Sequence, residues 1–343
     1  MRVLVATDAW RPQINGVVHT YLHLVEAVRP LGAELVLLTP DDYNTVPCPM
    51  YSEIRLAVPG YRHTARRIEE IRPDAIHIAT EGPIGWMTRR WCRARGVPYT
   101  TSFHTRFPEY LSRRFGLPAA LVYAAERRFH NTGAGMMVAT PSLAADLAAR
   151  GFEHIRPWTR GVDTRRFRPA PVRQFGSGPV FLYVGRVAHE KNLEAFLSLD
   201  LPGRKVVVGT GPEAARLAAH FPDALFTGRK SAAELADCYA SADVFVFPSR
   251  TDTFGIVLLE AMASGLPVAA FPVTGPIDVI EPGLTGVLDE DLRRAALAAL
   301  RLDRARIRAA AERFSWETAA RQFLANLVPA RATSHAPIAA RAR

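Results

Sequence analysis

Cysteine is scarce in this sequence: Cys48, Cys92 and Cys238 stand far apart. Three scattered thiols exclude a disulfide framework and give no zinc-type ligand spacing. Long apolar runs are missing too. No stretch approaches the roughly 20 apolar residues that span a bilayer, so no membrane-crossing helix is predicted. The opening MRVLVATD lacks the basic flank, long apolar core and cleavage site of an export signal, and reads as a buried strand. A reducing, cytoplasmic compartment is the expectation. Lysine is the rarest charged residue: Lys191, Lys205 and Lys230 stand against 40 arginines. No internal repeat marks a solenoid or propeller.

What is present is an ordinary soluble composition, 48% hydrophobic and 22% charged. At 343 residues the chain exceeds one ordinary core, so two domains of about 150 residues are expected. The net charge of +10 is unevenly spread. Residues 1–168 hold 23 Arg against 15 acids; residues 169–343 hold 20 Lys and Arg against 18 acids. The segment 55–130 alone holds 14 Arg and 6 acids. A concentrated basic face suits nucleic acid, anionic lipid or phosphorylated substrates, or is simply a solvated surface of an arginine-rich protein. No recognition motif or base-stacking pattern supports nucleic acid.

Short β-branched apolar runs recur at 3–6, 35–39, 75–79, 136–140, 180–185, 205–209, 244–248 and 268–272. They are apolar on both faces, as in parallel sheets covered by helices. Amphipathic segments at 17–29, 64–71, 142–150, 192–199, 231–241 and 255–264 alternate with them. The pattern predicts an α/β chain of two doubly wound, Rossmann-like domains facing across a cleft. A Pro-, Gly- and Arg-rich break at 165–178 reads as the linker. The expected bounds are 1–168 and 169–315, with a helix at about 316–328 packing back on the first domain. The patternless tail 330–343 is expected to be disordered.

In such sheets ligands sit beyond the carboxyl ends of the strands. Gly16 stands at a helix entry just after the first strand, where free amides and the helix dipole favour an anion. The loop is not GxGxxG, so a nicotinamide reading is weak. Arg186 and Lys191, in VGRVAHEKN, follow a strand directly and form a diphosphate clamp or a solvated cationic pair. Gly209 and Gly211, and the loop FTGRK with Thr227 and Gly228, lie at the same sheet edge and could border a nucleotide base. His104 follows a predicted strand and either points into the cleft or is held within its loop. It has no His, Cys or Asp at metal-ligand spacing, so no metal is expected.

Asp252 and Glu260, in RTDTFGIVLLEAMASGLP, raise the question of a hydrolytic acid–base pair. In a straight helix eight residues leave them ~80° apart in azimuth and ~12 Å apart in rise. Glycosidase carboxyls stand ~5 Å apart when retaining and ~6.5–9.5 Å when inverting. The spacing suits two contacts to one long ligand, with the amides of Phe254, Gly255 and Ile256 holding an anion between them.

With PQINGVV, SFHTRFPEY, RGVDTRRFRP, VGRVAHEKN, GTGP, FTG, YASADVFVFPS and TDTFGIVLLEAMASGLPV in that order, the chain resembles retaining glycosyltransferases of the GT-B fold, family 4. It is most similar to the lipid-glycosylating branch, the sulfoquinovosyl- and glucosyl-diacylglycerol synthases and the phosphatidylinositol mannosyltransferases. The family pattern has Glu, seven residues, Glu; here the first position is Asp252. The resemblance implies that Arg186 and Lys191 hold the donor diphosphate, helped by Gly16 and the Phe254–Ile256 amides. Glu260 would bind the ribose, Asp252 the donor sugar, and Thr227 and Gly228 the donor. His104 would lie beside sugar and acceptor.

It also implies a retaining, metal-independent hexosyl transfer with no cofactor, from a nucleotide sugar to a lipid such as diacylglycerol, giving an α-glycolipid. UDP-glucose or UDP-glucuronate is the favoured donor. The alternative is a GDP-mannose-dependent enzyme, or one acting on a soluble or cell-envelope saccharide. The basic segment 55–130, with the stretch YLSRRFGLPAALVYAAERRF, fits an anionic bilayer at the inner face of the cytoplasmic membrane, with that stretch as an interfacial helix or as a core-facing one.

Overall fold

A computed structural model describes residues 1–13, 15–48 and 51–330; the proposed tail lies almost wholly outside the described residues. The first half builds strands β1 (Arg2–Ala6), β2 (Glu34–Leu38), β5 (Ala75–Ile78), β6 (Thr100–Phe103), β7 (Gly135–Val138) and β8 (Ile155–Pro157). They form one parallel sheet in the order β2-β1-β5-β6-β7-β8. Between β2 and β5 lies a small antiparallel hairpin, β3 (Thr45–Cys48) and β4 (Tyr51–Ala57), which the apolar pattern did not reveal.

The second half repeats the design. Strands β9 (Val180–Val184), β10 (Arg204–Val208), β11 (Leu225–Gly228), β12 (Val244–Phe247), β13 (Val268–Ala270) and β14 (Gly286–Leu288) run parallel in the order β11-β10-β9-β12-β13-β14. Strands β5, β6, β7, β9, β12 and β13 are buried at every residue, which explains the apolar runs of β7, β9, β12 and β13; β5 and β6 bury polar residues as well. The fold is thus two Rossmann-like α/β domains.

Strand order reverses between β1 and β5 in the first sheet and between β9 and β12 in the second. The loops after these strands flank the crevice where open α/β sheets take their ligands. Gly16, Arg186, Lys191, Asp252 and the helix Ile256–Ala263 all belong to those loops or follow them.

The chain crosses between the sheets twice. The outgoing segment runs after β8; the returning one leads into the helix Trp316–Asn326. That helix buries Ala320 and Phe323 among Tyr21, Leu24 and Trp158 of the first unit. Each large side chain so buried contributes about 1.5–3 kcal/mol. The Trp158 indole N–H donates to the Ala319 carbonyl at 3.0 Å. The crossings are bonded to each other: the Val162 amide donates to the Phe314 carbonyl at 3.0 Å, and a Cβ on Gly161 would lie 2.4 Å from the Trp316 nitrogen. Only glycine permits that approach.

The stretch read as one interfacial helix is two, Phe107–Phe115 and Ala119–His130. Gly116, at φ +68°, ends the first, and Pro118 precedes the second. The side chains of Tyr110 and Arg113 to Phe115 lie outside the described residues. No described helix is long and apolar enough to cross a membrane.

Candidate active site

The two halves meet where two helix N-termini converge. The helix Gly16–Val28 is capped by Asn15, whose Oδ1 accepts from the amides of Val17 and Val18 at 3.0 Å. A Cβ on Gly16 would lie 3.8 Å from Ile256 Cδ1, so the Gly16 entry faces the first residue of the second domain's helix. That helix runs Ile256–Ala263, one residue shorter at each end than the segment 255–264 read from sequence. Gly255 is its N-cap at φ +83°, with no side-chain cap. Phe254 lies before the helix with its ring buried among Leu258, Leu259 and Phe247. The uncapped first-turn amides therefore begin at Ile256 rather than Phe254, and the dipole's positive end opens toward Gly16.

Lys191 and Asp252 meet at this mouth. The Lys191 ammonium donates to Asp252 Oδ1 at 2.6 Å, and each side chain keeps roughly a fifth to a quarter of its surface exposed. Asp252 Oδ2 is buried without a hydrogen-bond partner. The sequence placed both residues at the sheet edge but did not foresee their pairing. Asn192, at φ +55°, turns the chain after Lys191 and donates from its side chain to the Pro248 carbonyl at 3.1 Å, tying the β9 loop to the end of β12. Arg186 is half-buried on the same loop, and its carbonyl accepts from the Tyr183 hydroxyl at 2.9 Å.

Glu260 lies deeper. It is buried, accepts from the Tyr239 hydroxyl at 2.8 Å, and has its carboxyl pushed up to about 7 by burial. Asp252 and Glu260 thus have separate partners, Lys191 and Tyr239, and do not form a pair.

The glycines of the β10 loop have a different reason from the one expected. A Cβ on Gly209 would fall 1.9 Å from the Gly185 carbonyl oxygen, and one on Gly211 would fall 2.2 Å from that of Val187. The loop is pressed against the Arg186 loop, with Val187 N–H donating to Thr210 O at 2.9 Å. These glycines serve backbone packing, and they brace the loop that carries Arg186. Thr227 and Gly228 are half-buried beside them, the Gly228 carbonyl accepting from the Gly209 amide at 2.9 Å.

His104 is held from both sides. Its carbonyl accepts from the Thr253 hydroxyl at 2.8 Å across the cleft. Its ring lies 3.3 Å from the Tyr21 hydroxyl and 3.2 Å from the Arg160 guanidinium. Burial, then Arg160 and the histidines His77 and His130, hold the imidazole well below its ordinary value, so it is neutral. Among the described residues no three His, Cys, Asp or Glu side chains gather as a metal site.

Two family models match the chain: Glycosyltransferase Family 4 over residues 14–166 and Glycosyl transferases group 1 over residues 178–303. A GDP-mannose-dependent alpha-mannosyltransferase of Mycobacterium tuberculosis is 32% identical over 317 residues, covering 84% of this chain and 83% of that protein. The chain is a family 4 glycosyltransferase. Another relative of this glycosyltransferase, from the same organism, is a GDP-mannose-dependent alpha-(1-6)-phosphatidylinositol dimannoside mannosyltransferase, 29% identical over 80% of this chain and 78% of that one. In fold, the glycosyltransferase matches the sucrose-phosphate synthase of Thermosynechococcus elongatus with a TM-score of 0.75 at 20% identity, over 94% and 97% of the two chains.

Tyr21, His77 and Arg160 of the glycosyltransferase were not singled out from sequence. The available signals were a histidine inside the fully buried strand AIHI and three consecutive hydroxyl residues, Thr100, Thr101 and Ser102, in the next buried strand. Buried polar groups need partners, so such residues announce a network.

Proposed function

We propose that this glycosyltransferase moves a hexose, with retention at the anomeric carbon, from a nucleoside-diphosphate sugar to a hydroxyl of a lipid acceptor. The observation that carries this is the Lys191–Asp252 pair set at the uncapped mouth of the Ile256 helix. Transfer breaks the bond between C1 and the phosphate oxygen and forms one between C1 and the acceptor oxygen. The leaving phosphate gains negative charge, and a poor leaving group departs only when that charge is stabilised. Lys191, Arg186 and the amides from Ile256 onward supply fixed positive charge for this without a metal, and Gly16 lets the diphosphate approach the backbone. The leaving phosphate, freed on the side the acceptor enters, takes the acceptor proton. Asp252 holds sugar hydroxyls, Glu260 the ribose, and Thr227 and Gly228 border the base.

GDP-mannose is placed ahead of UDP-glucose and UDP-glucuronate, on the strength of the two mannosyltransferase relatives. A phosphatidylinositol-type lipid is the acceptor class that the second relative supports. The basic segment 55–130 and the exposed side chains of Phe107, Leu117 and Leu121 suit an anionic bilayer.

The test is a donor screen. Purified protein is mixed with GDP-mannose, UDP-glucose or UDP-glucuronate and vesicles containing phosphatidylinositol or diacylglycerol. Product is read by mass spectrometry and its anomeric configuration by NMR. An α-mannosyl lipid is expected. A β-linked product overturns retention, a glucosyl or glucuronosyl lipid overturns the donor, and no glycolipid from any combination overturns the acceptor.

A further inference from the structure

Behind His104 a line of polar groups runs into the first sheet. Arg160 contributes only N–H donors, so His104 Nδ1, 3.2 Å from it, must accept. The ring proton therefore sits on Nε2 and is donated to the Tyr21 oxygen at 3.3 Å. The Tyr21 hydroxyl in turn lies 3.0 Å from His77 Nε2. That nitrogen also lies 2.9 Å from the Ser102 hydroxyl, and His77 Nδ1 lies 2.9 Å from Thr100 Oγ1. One residue that cannot accept thus fixes the tautomer of His104, the ring at the mouth of the line.

The network is buried. Tyr21, His77, Thr100 and Ser102 are almost fully enclosed, and Arg160 is 4% exposed. The Arg160 guanidinium lies 4.1 Å over the Trp158 ring and also donates to the Trp158 carbonyl at 2.7 Å. Among the described residues its hydrogen bonds go to neutral groups. Burial lowers it to about 10 and His77 to about 3, so the first stays charged and the second neutral through the working range. The charged and titratable groups acting on His104 are Arg160, His77 and His130, and none is a carboxylate.

The other end of His104 reaches the chemistry. Its carbonyl receives Thr253, the neighbour of Asp252, and the Thr253 carbonyl receives the Thr140 hydroxyl at 3.3 Å. The ring has no nitrogen left for a substrate, while the backbone it fixes touches the loop that carries the Asp252–Lys191 pair.

We propose that Tyr21 and Arg160, backed by His77, are positioning residues for the transfer reaction: they lock His104 as a neutral Nε2–H imidazole and so hold the carbonyl on which the Asp252 loop of the second domain docks. This rests on the glycosyltransferase reading of the cleft. His104 on this assignment neither gives nor takes a proton in the reaction.

Histidine side-chain 15N–1H NMR on the full chain tests the lock directly, with the signal assigned from a His104→Asn variant. An Nε2–H tautomer, unchanged from pH 5.5 to 8.5, is expected. An Nδ1–H tautomer, or protonation within that range, overturns the lock whether or not the donor assignment stands. The positioning role is tested with Tyr21→Phe, which keeps the ring and leaves Ser102 to satisfy His77. It is expected to lower kcat about 10- to 100-fold while nucleotide-sugar Kd changes less than twofold, since a small misplacement penalises turnover more than binding. Unchanged kcat, or parallel losses in kcat and Kd, overturns the role. A wild-type protein that turns over no nucleotide sugar overturns the functional reading alone, and the ring protons still decide the lock.

Discussion

The Lys191 ammonium sits 2.6 Å from Asp252 Oδ1, joining the loop after β9 to the loop after β12. Both groups keep some solvent contact, so the pair adds at most about 1 kcal/mol to stability. Its importance lies in position. Lys191 is held at the strand ends by Asp252, whose Oδ2 is buried without a hydrogen-bond partner.

Removing the ammonium therefore affects rate more than folding. Lys191→Ala is expected to lower turnover by ~10²-fold or more, with a change in melting temperature of only a few degrees. Nucleotide release under saturating donor, alongside a thermal melt, checks both.

Glu260 gives a pH signature. Its folded-state value is raised by burial to about 7, above the ordinary 4.5. A raised value stabilises the fold below pH 4.5, and that contribution is lost as pH rises through about 7. Glu260→Gln keeps an oxygen for Tyr239 and removes the titration. The variant should gain stability relative to wild type steadily between pH 5 and 8, read from urea midpoints. With Glu260 holding the ribose as proposed, nucleotide-sugar affinity of the wild type should rise over the same range, since an ionised carboxylate is the stronger acceptor.

Gly209 is a packing constraint. At φ +137°, with a Cβ 1.9 Å from the Gly185 carbonyl oxygen, Gly209→Ala combines backbone strain with a clash. A loss of about 3 kcal/mol or more in denaturant unfolding is expected. Donor affinity should weaken as well, because the displaced loop carries Arg186.

Leu121 tests the bilayer surface. It is 69% exposed on a helix that also presents Arg127 and Arg128 to solvent. Burying one leucine in the interface is worth about 1.5 kcal/mol or more, so Leu121→Glu should reduce co-sedimentation with anionic vesicles about tenfold. Raising the salt should weaken wild-type binding as well.

The sheets were legible because fully buried parallel strands leave unbroken β-branched runs that little else in a soluble chain produces. The short β8, β11 and β14, the β3–β4 hairpin and the start at Ile256 were not. Strands β8, β11 and β14 are sheet edges, only partly buried, and leave no apolar run, and a helix start set by a positive-φ glycine has no side-chain cap to announce it. Among the site residues, Arg186, Lys191, Asp252 and Glu260 could be found from their places after strands. Their partners could not, because Asp252 meets Lys191 across 61 positions and His104 meets Arg160 across 56, through loops of irregular geometry. His77 was hidden for another reason: inside an apolar strand it counts as an interruption until its neighbours are known.

The two bonded crossings bear on how the enzyme opens. A pair of domains joined by one strand can swivel freely, like a lamp on a cord. Here Val162 is bonded to Phe314, and the Gly161 backbone lies against Trp316, so the joint resembles a door hung on two pins. Twist and sideways slip would break those bonds, whereas rotation about the line of the pins leaves them intact. Any opening along that single track would bring the Gly16 entry back to the same place on the Ile256 helix. Registration between the halves thus comes from the hinge together with the direct His104–Thr253 and Ser142–Asp278 bonds, all made without substrate.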